Sequence, residues 1–243
     1  MVRRRFTAIG FAVCVCLTAS LASGQTVDEL LASNLQAKGG LDALRAVTSV
    51  RQTSILSIQG AEASVVVYSM RPNFVRQEVA LAGRTVVNAF DGAVAWALNG
   101  MWGVETPRIL SGSEADALRR QASFDGLLVD SQADGHRVEL LGVETLGERD
   151  VYHLRIINDT YEVQHSYLDV ATSLEVKLVS ETAVGRFEQE FSDYREIDGV
   201  RIPFVIKTSL NGRPQSEVTV TEVVLNVALD KTLFTFPPVE LAP

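Results

Sequence analysis

From Val50 almost to the end of the 243-residue chain, apolar and polar residues alternate one by one, and this period of two confines the fold to β-sheet. Ile202, Phe204, Ile206 and Leu210 alternate with Arg201, Lys207 and Ser209, and Leu174, Val176 and Leu178 with Glu175 and Lys177. Such segments are half-buried strands. Asp91-Gly92, Asn99-Gly100, Asp134-Gly135, Asp198-Gly199 and Asn211-Gly212 punctuate them with pairs that tolerate the positive φ of tight hairpins. The sheet is therefore expected to be largely antiparallel, with about ten or eleven strands, a width that must curl or split.

Helices are expected at two places. Thr26 and Glu29 have the spacing of a capping box, Val27, Leu30, Leu31 and Leu35 follow the helical period, and Gly39-Gly40 ends the segment; a second short piece covers Leu41 to Val47. Ser113 to Ala122 reads as a central helix, with Ser113 and Asp116 as caps, Leu118 on its apolar side, and Pro107 and Asp125-Gly126 as its bounds. No Pro/Ser/Gly-rich linker and no repeat divides the chain beyond residue 24, so residues 25–243 are expected to be one domain. Its expected class is mainly β with α: a long, strongly curved antiparallel sheet with the N-terminal and central helices against its concave face.

The first 24 residues read as a secretory signal peptide. Arg3, Arg4 and Arg5 form the positive end, Phe6 to Leu21 is apolar and uncharged, and Ala22-Ser23-Gly24 offers small residues ahead of cleavage before Gln25. Removal takes away three arginines and both cysteines, Cys14 and Cys16, so the formal charge falls from −8 to −11. A chain so acidic is repelled by nucleic-acid backbones, and the Arg119-Arg120 pair with the scattered Arg71, Arg76 and Arg84 makes only thin clusters, so no nucleic-acid partner is expected. Without cysteine, the mature chain has no disulfide, thiolate nucleophile or thiolate metal ligand, and its stability must come from an apolar core.

Catalytic signatures are absent: no Gly-x-Ser-x-Gly elbow, no phosphate-cradling glycine loop, no His-Glu-x-x-His and no dinucleotide fingerprint. His136, His153 and His165 lie 17 and 12 residues apart, which matches no local ligand spacing. His165 alternates with Tyr161, Val163 and Tyr167 and reads as a histidine at the edge of a core, or as a ligand or proton shuttle. No catalytic residue, metal site or cofactor is expected.

Three segments together resemble the LolA-like family of periplasmic lipoprotein carriers and their relatives. They are Val66-Val67-Tyr68-Ser69-Met70-Arg71-Pro72-Asn73, then Val86 to Trp96 with its Asp-Gly turn, and Leu233-Phe234-Thr235-Phe236-Pro237-Pro238. The stretch Ser192 to Pro203 is similar to the broader group of outer-membrane lipoprotein-sorting proteins. The resemblance implies a half-open β-barrel covered by helices, and a periplasmic, non-enzymatic carrier of lipid or lipid-modified protein that works with inner- or outer-membrane transport components. It assigns Arg71 the role of latching the helical lid. Trp96, Phe74, Trp102, Phe124 and Leu128 are the expected ligand-lining residues. Two other functions stay open: a protein-interaction module of an envelope complex with a filled barrel, and a hydrolase or isomerase whose polar groups, His165 first, converge on the concave face.

Overall fold

The computed structural model describes residues 25–100, 106–126, 128–129, 135–158, 162–182 and 185–238; the expected signal peptide lies outside them. Helix α1 (Val27–Ala37) opens on the capping box, with the Glu29 amide donating to Thr26 Oγ1 at 3.3 Å and the Thr26 amide to Glu29 Oε2 at 2.8 Å. Helix α2 (Leu41–Ala46) follows directly. The junction between them needs glycine: Gly39 has φ +122°, and a Cβ there would stand 2.1 Å from the Gly199 carbonyl oxygen. This close approach is sealed by the Arg201 amide, which donates to the Lys38 carbonyl at 2.9 Å.

Thirteen strands among the described residues make one antiparallel sheet. They are β1 (Ser49–Ile58), β2 (Ala61–Met70), β3 (Phe74–Leu81), β4 (Arg84–Asp91), β5 (Ala95–Asn99), β6 (Arg108–Ile109), β7 (Arg137–Leu146), β8 (Arg149–Ile157), β9 (Val163–Asp169), β10 (Glu175–Thr182), β11 (Gly185–Ile197), β12 (Val200–Leu210) and β13 (Arg213–Leu225). Their order is β6-β5-β4-β3-β2-β1-β13-β12-β11-β10-β9-β8-β7, and the sheet is not closed. Two meanders thus meet at the pairing of β1 with β13, and the chain passes between their far edges through α3 (Gly112–Gln121). The expected strand number falls short because two hairpins lack the Asn-Gly or Asp-Gly signal. Gln59-Gly60 and Ala82-Gly83 adopt positive φ at both residues, and β6 is only two residues long. The central helix begins at Gly112 after Ser111, whose side chain makes no cap bond, rather than being capped by Ser113 and Asp116.

Register decides what each face carries. Across the middle of the sheet Leu178 lies opposite Gln189, Phe191 opposite Ile206, Ile206 opposite Val218, Val218 opposite Leu56, and Leu56 opposite Ala63. The alternate residues form a charged ladder in which Lys177 opposes Glu190, Glu190 opposes Lys207 and Lys207 opposes Glu217. Opposite charges in directly facing positions stabilise the pairing. Helices α1 and α3 sit on the opposite face, which carries no charge in these central rows and is termed the inner face. Leu30 and Leu31 of α1 pack on Leu154, Ile156 and Leu168, while Ala115 and Leu118 of α3 pack on Val75, Phe90, Ala95 and Ala97.

The outer face of the β2–β5 wing is covered by the chain's own C-terminal segment. Asp230 caps the 3-10 turn Lys231–Leu233, and the fully buried Phe234 follows. The Trp96 indole donates to the Phe234 carbonyl at 2.7 Å, Arg76 Nη1 donates to the Leu233 carbonyl at 3.0 Å, and the Phe74 and Phe234 rings lie 5.5 Å apart. Phe236 closes the clasp, edge-on to Trp96 at 6.1 Å. Phe234→Ala is expected to cost about 3–5 kcal/mol of unfolding free energy, in line with other buried aromatic truncations. Urea unfolding monitored by circular dichroism measures it; a loss below about 1 kcal/mol, the range of surface substitutions, would mean the strap is peripheral.

Candidate functional site

Among the described residues, helices cover the inner face at its two wings and leave the middle half-buried. Leu154, Leu168 and Phe90 are buried under helices, whereas Leu56, Leu178, Phe187, Phe191, Ile206 and Val218, all on the same face by register, remain half-buried. Side chains of this size kept partly exposed on an uncharged strip make an apolar floor. Gln52, Gln77, Asn88, Gln164 and Gln189 add uncharged polar groups on the same face, and charge appears there by register at Arg84, opposite Leu81, and at Glu175, opposite Leu168.

At one end of this floor a cavity of about 220 Å³ lies beneath the α1–α2 junction, lined by Leu44, Val129, Phe191, Tyr194, Ile202 and Pro203 together with Lys38, Asp125, Glu175 and Arg201. Tyr194 and Glu175 in its lining are tied by hydrogen bonds. The Tyr194 hydroxyl donates to the Glu175 carbonyl at 2.7 Å, and burial, then the nearby Glu175 carboxylate, push this phenol well above its ordinary range, so it stays a donor. Ser166 Oγ donates to Glu175 Oε1 at 2.5 Å.

Arg71 ties the helices over this cavity to one another. Immediately after β2, it donates from Nε to the Val47 carbonyl at 2.7 Å and from Nη2 to the Leu44 carbonyl at 3.2 Å, two carbonyls at the end of α2. The outer edge of the same guanidinium grips Asp125 with both Nη atoms, and its plane lies 4.5 Å above the Phe124 ring. Only a planar fork with five donors serves two carbonyls and a carboxylate at once. One side chain thereby joins the sheet, α2 and the turn after α3.

The other residues picked from the sequence are dispersed. Trp96 and Phe74, expected to line a cavity, lie on the outer face under the C-terminal strap, because each is one residue out of phase with the inner-facing Ala95, Ala97 and Val75. Phe124 stacks beneath Arg71. Leu128 is buried against α1 and β8 with Leu30, Leu31 and Leu154, in closed core rather than on the open floor. Trp102 lies outside the described residues. Asp125 escaped notice because Asp125-Gly126 reads as a turn, and the floor residues on β10 to β13 escaped because a strand's period does not say which phase points inward.

His165 and His153 do converge, with Nε2 of His153 2.7 Å from Nδ1 of His165. They share the outer face with Lys177 and Val179, away from the floor and the cavity. A hydrolase working on the inner face gains nothing from them. Among the described residues no group of three or more His, Cys, Asp or Glu side chains is placed to hold a metal ion, and no helix is long and apolar enough to cross a membrane.

No protein-family model and no curated protein matches the sequence. Solved structures do match in fold. A DUF1329 family protein from Desulfovibrio piger superposes with a TM-score of 0.61 at 12% identity, covering 86% of this chain and 97% of that one. A LolA superfamily protein from Nitrosomonas europaea gives 0.60 at 18% identity over 88% and 99% of the two chains. An outer membrane lipoprotein-sorting protein domain from Vibrio parahaemolyticus gives 0.56 at 13% identity over 85% and 94%. Likeness at such low identity, extending over nearly the whole of each partner, establishes architecture: the open thirteen-stranded sheet with helices on one face is a LolA-like fold.

Proposed function

We propose that this chain is a non-enzymatic, periplasmic carrier or holder of lipid or of lipid-modified protein, binding acyl chains on the inner face. The observation that carries this reading is the strip of half-buried Leu56, Leu178, Phe187, Phe191, Ile206 and Val218, which has no charged neighbour in its own rows across β10 to β13 and β1. About ten methylenes laid on such a surface gain on the order of 8 kcal/mol before ordering costs are subtracted, enough for reversible binding without chemistry. The LolA superfamily and lipoprotein-sorting neighbours support the reading, as does the N-terminal signal-like segment. Arg71 is then the latch: its bonds to the Leu44 and Val47 carbonyls and to Asp125 hold α2 and the 124–126 turn over the cavity.

Purification of residues 25–243 from bacteria followed by native mass spectrometry and lipid extraction tests the reading. Bound amphiphile is expected in the parent chain, and Ile206→Glu, which places a charge on the floor, is expected to lower its occupancy at least tenfold. A parent chain that is empty and binds no hydrophobic probe would overturn it. Favour would then pass to a protein-interaction module, because the free edge strand β7 exposes Leu141 and Val143 at 50% and 58%.

The latch has its own test. Arg71→Ala removes charge-assisted hydrogen bonds worth about 2 kcal/mol and is expected to speed release of a fluorescent fatty acid, with Arg71→Lys intermediate because a single ammonium cannot fork. Equal release rates in all three proteins would reduce Arg71 to a structural tie.

A further inference from the structure

On the outer face of the β7–β8–β9 wing three side chains stand in a hydrogen-bonded row. His153 Nδ1 lies 2.6 Å from Glu144 Oε1, and His153 Nε2 lies 2.7 Å from His165 Nδ1. The row is built rather than incidental. A bulge in β7 between Leu140 and Gly142 puts glycine, with φ +147° and open space where a Cβ would be, directly opposite His153. With no β7 side chain beside it, the imidazole reaches along the strand to Glu144. Tyr167, the facing residue on β9, stacks on the His153 ring at 4.4 Å and 20°, and the histidine is 9% exposed.

Proton positions in the row follow from donor and acceptor rules. An ionised Glu144 only accepts, so His153 Nδ1 carries hydrogen, and in the neutral pair His153 Nε2 accepts from His165 Nδ1. One added proton fits without movement: it enters at the outward Nε2 of His165, and the charge is shared along the row towards Glu144. A second proton on the imidazoles does not fit, because both nitrogens that face each other at 2.7 Å would then carry hydrogen.

We propose that Glu144, His153 and His165 form a proton-counting switch, in which the imidazole pair admits one proton on acidification, whereas a second on the same pair forces the rings apart and loosens β8 and β9 beneath α1. The mechanical link is one residue long. Leu154 follows His153 and Leu168 follows Tyr167, and both leucines point to the inner face, where they seat Leu30 and Leu31 of α1. The switch concerns the strands and α1 alone and stands whether or not the inner face binds lipid.

The groups facing the row set its direction. Burial first, then His153, Arg155 of β8 and Arg186 of β11, hold His165 below the ordinary histidine range, with Glu181 of β10 partly opposing them. Lys177 of β10 and Glu188 of β11 pair with each other at 2.5 Å, and Tyr167 of β9 stays protonated because burial and then Glu144 raise its pKa. For a histidine depressed on folding, the unfolded chain binds protons first as pH falls. The contribution of His165 to stability is therefore fully present above the unfolded value of about 6.5 and lost as pH falls through the lower folded value.

Two measurements on the purified chain test the switch. In a ring-proton NMR titration His153 and His165 are expected to report the same two well-separated steps, and His165→Gln should leave His153 with one. Hydrogen exchange of the α1 amides, corrected for intrinsic rates, should then rise by up to tenfold per unit fall in pH on the approach to the second step in the parent chain, the limit set by one linked proton, and stay flat in His165→Gln. Glu144→Gln serves as the second variant, moving the first step to lower pH with the fold intact. Independent single-step titration of the two histidines, or parallel loss of α1 protection in the parent and His165→Gln, would overturn the proposal.

Discussion

A sheet with one charged and one mainly apolar face depends on register being held over many strands, because a slip of one residue in any strand would invert every side chain it carries. Here the register is held by two agreeing patterns. On the outer face Lys177, Glu190, Lys207 and Glu217 alternate in sign from β10 to β13, while on the inner face Phe191, Ile206, Val218 and Leu56 meet from β11 through β13 to β1. Shifting a strand would set apolar residues against the charged rows and strand charges on the floor. The acidic balance of the chain is thereby kept on surfaces that meet water, and the floor keeps its apolar character without a permanent helical cover.

The class of the fold was legible at once, since period two from Val50 onward leaves little besides antiparallel sheet, and the Thr26–Glu29 capping box is present at the predicted position. The hairpins at Asp91-Gly92, Asp198-Gly199 and Asn211-Gly212 could be read, whereas Asn99-Gly100 ends β5 without positive φ; those at Gln59-Gly60 and Ala82-Gly83 could not be read, because the first residue of each bends to positive φ without a side chain that favours it. Face was the weaker inference. Trp96 and Phe74 look like ligand-lining aromatics in a linear reading, yet their phase turns them outward, where a strap more than 130 residues later in the chain meets them. Arg71 could be singled out from the Arg-Pro-Asn segment, but its partners Asp125 and the Leu44 and Val47 carbonyls come from remote stretches with no signature of their own.

Helices contribute unequally to this architecture. α1 and α3 bury their stripes on opposite wings and behave as core, whereas α2 has no buried residue and is held through its backbone, by Arg71 on one side and by the tight Gly39–Gly199 approach on the other. An element fixed by hydrogen bonds rather than by buried area is one whose opening requires little free energy, the property expected of a moving part. Its position over the cavity therefore reflects how it is attached.

The joining of the two meanders at β1 and β13 also sets the order in which the molecule can be completed. β1 is among the first strands to be synthesised, and its partner β13 is the last. Until residues 213–225 exist, β1 presents an unpaired edge, with the exposed Ile55 and Ile58 along it, and the Phe234 strap is missing from the neighbouring wing. A chain that lacks residues 213–225 is therefore an incomplete sheet with a sticky centre rather than a smaller version of the finished one, so the sheet's completion waits on β13.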